Sequence, residues 1–296
     1  MAAKIRWAVR HVITPLREAG RPEHRRMKTA SQRAAKAKET RKYSSRLVKG
    51  GALLNDMRLL VRLWRDGSDR EQRKRIVANN ILGKGTRARA LDTLTHAFLP
   101  RFVHGSPAGA WRLVRPLEER GLPIEVLKPV YYWITARGEP ILYDFVCQEL
   151  ERYGPQHFLS TRDVVAWVQR AAAGQGKAWS AAVTQRVARS VLAALRDFGI
   201  LEGRNRKRVA AVYLPVESFA YLAYLLHSLG ASGQHLVQHP DWRLFLLGEE
   251  AVERLFLEAD RCGLLTFNAA GQIVRVDFPA GSCEEMADVV ARTAHA

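Results

Sequence analysis

The sequence predicts a mainly α-helical chain: a basic arm at residues 1–42 followed by three folded units at 43–137, 138–215 and 216–296. Three features carry that expectation. From Tyr43 onward, apolar residues recur at helical spacing in most segments, separated by helix-start and glycine-stop signals. Two stretches, near 200–214 and 264–278, instead show short apolar runs folded about turn residues, the pattern of β-hairpins. Residues 1–42 show neither pattern. With 47% hydrophobic residues among 296, the chain can bury a core, and it has no long charge-free apolar run of the kind that spans a bilayer.

The arm holds thirteen Lys/Arg against Glu18, Glu23 and Glu39, with few large apolar residues after Leu16. Such a segment has too little to bury and reads as poorly ordered or as a frayed helix. Arg25, Arg26, Lys28, Arg41 and Lys42 are its candidate phosphate contacts. The Arg-rich, acid-poor composition also fits a transit peptide, and a start codon placed too far upstream would leave an idle extension. Arg10 and His11 interrupt the apolar run at 7–12, against a signal peptide.

In the first folded unit, Leu53, Leu54, Met57, Leu60, Val61 and Trp64 predict a helix stopped at Asp66-Gly67. Ser68-Asp69-Arg70-Glu71 reads as a capping box opening a second helix with Ile76 and Val77 inward. A third carries Ala90, Leu91, Leu94, Ala97 and Phe98, with Pro100 near its end. Further helices are expected at 110–119 and 124–135. Tyr131-Tyr132-Trp133 reads as core rather than a base-stacking platform, because apolar residues flank it.

The second unit opens near Gly138-Glu139-Pro140, with a helix expected at 141–153. Ser160-Thr161-Arg162-Asp163 caps a helix bearing Val164, Val165, Trp167 and Val168. A long helix at 180–198 follows, with Val183, Val187, Val191, Leu195 and Phe198 in one stripe and Gly199 as its stop. Strands at 200–201 and 209–214 are joined by Glu202-Gly203-Arg204-Asn205-Arg206-Lys207-Arg208, a turn with four cations. Helices followed by a basic-tipped hairpin are the layout of a winged helix-turn-helix, whose last helix enters a major groove while the wing lies on phosphates. The candidate contacts are Ser180, Gln185, Arg186, Arg189 and Arg196 on the helix, beside Ala182, and Arg204, Asn205, Arg206, Lys207 and Arg208 on the wing. Gln and Arg can read base edges, although most such contacts fall on phosphate.

In the third unit, Phe219, Leu222, Leu226 and Leu229 predict a helix ending at Gly230. A second helix at 249–262 buries Val252, Leu255, Phe256 and Ala259. Strands at 264–267 and 273–278 bracket Asn268-Ala269-Ala270-Gly271, and Ser282 caps a last short helix. This echoes the second unit as a winged-type module, but its hairpin tip has no cations.

A net charge of +18, from 47 Lys/Arg and 29 Asp/Glu, favours a polyanionic partner, nucleic acid before an anionic membrane. Cys147, Cys262 and Cys283 are scattered, with no CxxC and no adjacent His, which fits a reducing, cytoplasmic setting and neither a zinc knuckle nor an activated thiolate. Gly83-Lys84-Gly85-Thr86 is not a phosphate loop, because Gly follows the Lys and position 79 is Asn. His235 and His239 lack a third ligand in register. No GxSxG occurs, and the Glu118-Glu119 and Glu249-Glu250 pairs point to different helix sides. Neither an enzyme, a cofactor nor a metal is expected.

Tyr43-Ser44-Ser45, Lys49-Gly50-Gly51-Ala52-Leu53-Leu54-Asn55-Asp56-Met57-Arg58-Leu59-Leu60 and the run from Asn79-Asn80-Ile81-Leu82-Gly83-Lys84 to Arg89 resemble the opening of the BrxA family. Arg101-Phe102, Leu142-Tyr143-Asp144-Phe145-Val146 and the segment from Trp179 to Leu201 fit its later part, so the resemblance spans about 43–215. It implies a component of BREX bacteriophage-exclusion loci, alongside a methyltransferase, an ATPase and a phosphatase-like protein. It also implies a helical N-terminal part similar to the antitermination factor NusB, and association with double-stranded DNA. The function expected is a non-enzymatic, phosphate-contacting DNA-binding subunit. The alternatives are an RNA-binding or transcription-linked NusB-like factor, and an assembly adaptor within the defence complex.

Overall fold

Helices make up most of the chain in the computed structural model, which describes residues 42–154, 157–204, 206–271 and 273–295. The expectations for Arg25, Arg26, Lys28, Arg41 and Asn205 lie outside the described residues. The first unit comprises α1 (Leu47–Gly50), α2 (Leu54–Leu63), α3 (Asp69–Ala78), α4 (Arg87–Thr93), α5 (Ala110–Glu119) and α6 (Ile124–Gly138). Then come α7 (Pro140–Gln148), β1 (Phe158–Leu159), α8 (Thr161–Gly174), α9 (Ala181–Asp197), β2 (Leu201–Glu202) and β3 (Lys207–Val209). The chain continues with α10 (Val216–Ser228), α11 (Gln234–Val237), α12 (Glu249–Arg261), β4 (Thr266–Ala270), β5 (Ile273–Asp277) and α13 (Cys283–Ala294).

The helix-start signals form the bonds they promise. The Ser68 hydroxyl accepts from the Glu71 N–H while the Glu71 carboxylate accepts from the Ser68 N–H, both at 3.3 Å. Ser160 and Asp163 exchange the same pair ahead of α8. Each satisfies donors that a helix N-terminus leaves unpaired. Several boundaries differ from the sequence expectation. α2 stops at Leu63, before Asp66-Gly67, because Trp64 turns extended to bury its ring. α4 passes into a π-helical stretch, Leu94–Val103, that carries Pro100 near its end; the wider turn accommodates a residue with no N–H to donate. Leu91 is 45% exposed, a turn angle away from the buried Ala90–Leu94 line. α7 ends at Gln148, followed by a tight turn at Leu150–Arg152. α10 ends at Ser228, leaving Leu229 at 48% exposure.

The strands also differ. The segment at 210–214 is not a strand, and Lys207 and Arg208 belong to β3 rather than to the turn. Asn268, Ala269 and Ala270 lie in β4 and not in the turn. β1, which the sequence reading missed, joins the first hairpin in a three-stranded antiparallel sheet of order β1-β3-β2. β4 and β5 form a separate antiparallel pair. The last helix is long, not short, at twelve residues.

One hydrophobic cluster runs from Tyr43 to Val290 through all three sequence units. Tyr131, Tyr132 and Trp133 are buried in it, in rings such as Phe102–Tyr131 and Tyr132–Phe245. Burying such side chains stabilises the fold by about 1.5–3 kcal/mol each. Polar ties cross the same core. Arg101, wholly buried, pairs with Glu139 at 2.9 Å and donates to the Gly51 carbonyl. A Cβ at Gly138 would lie 2.9 Å from the Arg101 Cα, so only glycine permits that approach. Asp241 accepts from the Trp133 indole at 2.7 Å, the Arg137 guanidinium at 2.5 Å and the Tyr143 hydroxyl at 2.8 Å. It thereby pins the third unit to α6 and α7.

Candidate nucleic-acid interface

The stripe predicted for α9 is the one that faces the core: Val187, Val191, Leu195 and Phe198 are buried and Val183 is half-buried. α9 packs against α8, α1 and β2. Its far side presents Ser180, Ala182, Gln185, Arg186, Arg189 and Arg196 to solvent. Ser180 caps the helix by accepting from the Val183 N–H at 3.3 Å, which occupies its hydroxyl oxygen with the helix end. Arg196, at the other end, pairs with Asp197 at 2.8 Å. Between them Gln185 and Arg189 carry no side-chain bond among the described residues, and Arg186 makes only a long 3.4 Å contact to the Ala182 carbonyl.

The hairpin sorts its four cations by geometry. Gly203 sits at φ +92, where a Cβ would fall 2.0 Å from the Arg206 carbonyl oxygen, so the turn closes only with glycine. Arg208 faces outward on β3, opposite both Glu202 on β2 and Phe158 on β1, and its guanidinium is paired with Glu202. Lys207 is half-buried on the inner face and donates to the Arg204 carbonyl at 3.0 Å. Arg204 and Arg206 project at the tip with no ion pair among the described residues. The free positive charge of this hairpin is therefore at its tip, and is smaller than four cations suggest.

Exposed Phe158 beside Arg208, and Tyr213 at 79% exposure, are aromatic groups near the same hairpin that helical periodicity does not reveal. The sequence reading also passed over Arg70, Lys74, Arg87 and Arg89. They are exposed on α3 and at the start of α4 and have no ion pair among the described residues.

Several polar residues in the runs that carried the family resemblance are tied to other parts of the fold. Asp56 pairs with Lys84 at 2.7 Å, and the Tyr43 hydroxyl donates to Asp144 at 2.7 Å. Arg58 pairs with the buried Glu118, which also accepts from Tyr131; Glu119 is exposed. These pairs position helices. Lys84 serves Asp56 rather than a phosphate loop.

No group of three or more His, Cys, Asp or Glu is arranged to hold a metal among the described residues. His239 accepts from the Asp241 N–H at 3.2 Å, and burial lowers its pKa. Burial raises the Cys283 thiol, the opposite of activation. No described helix is long and apolar enough to cross a membrane.

A family model described as BrxA matches residues 41–224. No curated protein matches the chain. A crystal structure of an uncharacterized protein from Magnetospirillum magneticum shares the fold at a TM-score of 0.53, with 17% identity over 69% of this chain and 97% of that one.

Proposed function

The chain belongs to the BrxA family, which ties it to BREX-type phage defence, and from that premise we propose that it is a non-enzymatic subunit that binds double-stranded DNA chiefly through phosphates. The observation that carries this reading is the pairing of two exposed, uncompensated cationic elements on one small unit. One is the α9 face with Gln185, Arg186 and Arg189. The other is the hairpin tip with Arg204 and Arg206. The order β1, α8, α9, β2, β3, with β1 closing the sheet beside β3, supports reading 138–215 as a winged helix-turn-helix, with α9 as the helix that enters a groove. Methyltransferase, ATPase and phosphatase-like components of the same system are its expected partners, and Ser180 acts as the cap of α9 rather than as a base reader.

Each phosphate neutralised adds about 0.9 to the slope of log affinity against log salt on B-form DNA. Titrating duplex at several salt concentrations should therefore give a slope that falls by about 1.8 in Arg204→Ala/Arg206→Ala. Arg208→Ala should change it little, since Glu202 already holds that guanidinium. An unchanged slope in the double variant would remove the hairpin from the interface. Tighter retention of structured RNA than of duplex DNA at equal salt would favour an RNA-directed role, because A-form RNA hides its major groove from a helix. Wild-type chain that binds neither, yet co-purifies with the other components, would leave an adaptor.

A further inference from the structure

We infer that the helical pair α3–α4 is a second phosphate-binding surface, which continues the duplex track from α9 across α1. This rests on the duplex-binding reading above and extends it to a part of the chain outside the winged unit. The argument begins with the carboxylates. Between residues 55 and 93 they are Asp56, Asp66, Asp69, Glu71 and Asp92, and each is engaged within the fold. Asp56 holds Lys84, Asp66 holds Arg112, Asp69 holds His104 at 2.7 Å, Asp92 holds Lys49 at 3.0 Å, and Glu71 closes the α3 capping box. Arg70, Lys74, Arg87 and Arg89 are exposed in the same stretch without an ion pair among the described residues. They leave a cationic surface whose local counter-charges are already committed.

Position supports the same conclusion. α3 and α4 pack on each other, and α1 packs against both α4 and α9. Adjacent helix axes lie about 8–10 Å apart, so α4 sits at most two helix spacings, about 20 Å, from α9. At 3.4 Å per base pair that distance corresponds to about six further base pairs. Asn80, exposed in the connecting turn, adds a polar group of the kind that bonds phosphate oxygens, whereas Thr86 caps α4 and Asn79 donates to the Arg75 carbonyl.

The test is a salt titration of the full chain and of Arg70→Ala/Lys74→Ala/Arg87→Ala/Arg89→Ala, on a duplex of about 24 base pairs. The slope should fall by up to about 3.6. The variant with Lys at all four positions should keep the wild-type slope, and an unchanged thermal midpoint verifies that both variants fold. An unchanged slope overturns the inference, and a stoichiometry of two duplexes per chain overturns the single continuous track. If Arg204→Ala/Arg206→Ala lowers the slope and the quadruple variant does not, the winged-unit reading stands and only this second surface fails. If the wild type shows no salt-dependent duplex binding, both fail.

Discussion

Arg101 and Arg137 turn inward onto Glu139 and Asp241, whereas Arg189, Arg204 and Arg206 meet solvent with no ion pair among the described residues. One residue type serves two purposes here, and the partner decides which. A buried ion pair holds helices together while both members remain; losing one strands the other in a low-dielectric interior. Asp241 is the clearest case. Its burial alone would raise its pKa, but Arg137, then His239, and the bonds from Arg137 and Tyr143 leave it below the ordinary carboxylate value. Asp241→Asn should therefore cost about 3–5 kcal/mol, read as a lowered denaturation midpoint. The pH dependence follows from the same cluster. The stability Asp241 supplies is complete above the unfolded value near ~3.9 and is lost as pH falls through its lower folded value. His239 is also lowered, chiefly by burial. Its contribution is complete above about 6.5 and declines as pH falls below that, because the unfolded chain takes up the proton first. The thermal midpoint should thus fall in two stages on acidification, and His239→Gln should remove the earlier one.

At the scale of elements, the helices most legible in the sequence are those whose ends are chemically marked. Ser68, Ser160, Ser180 and Ser282 all cap the helices they precede. Ser160→Ala should cost about 1 kcal/mol and lower the thermal midpoint of a chain this size by about 2–4 °C; because α8 carries α9, duplex affinity should fall only near that midpoint. C-terminal ends are less legible, even where a glycine follows. Trp64 fits a helical pattern, and its place outside the helix is set by the core its ring enters. The two-residue β1 has no periodicity to read at all; it is a strand only because Lys207 and Arg208 lie across from it. The same limit applies to the candidate interface. The exposed face of α9 could be inferred from its apolar stripe, but the neutralisation of Arg208 by Glu202 depends on cross-strand register.

For the whole molecule, charge is distributed against its own average. The first 215 residues hold 42 Lys/Arg against 18 Asp/Glu, a net +24, while 216–296 holds five against eleven, which brings the whole to +18. Glu250, Glu253 and Glu258 are exposed on α12, so this end repels phosphate as the α9 end attracts it. Replacing those three with Gln should raise duplex affinity a few-fold at low ionic strength. The gain should fade above 0.1 M salt, where the screening length is about 10 Å; a gain that persists there would mean direct contact instead. What the sequence by itself determined is local: helix content, cap positions, the buried face of α9 and the excess of positive charge. These depend on neighbours within a turn or two along the chain. Which cations remain free to meet a polyanion was decided only by the tertiary structure. Arg58, Lys84, Arg101 and Arg137 find partners 60, 28, 38 and 104 residues away, and no local pattern encodes a pairing made across that distance.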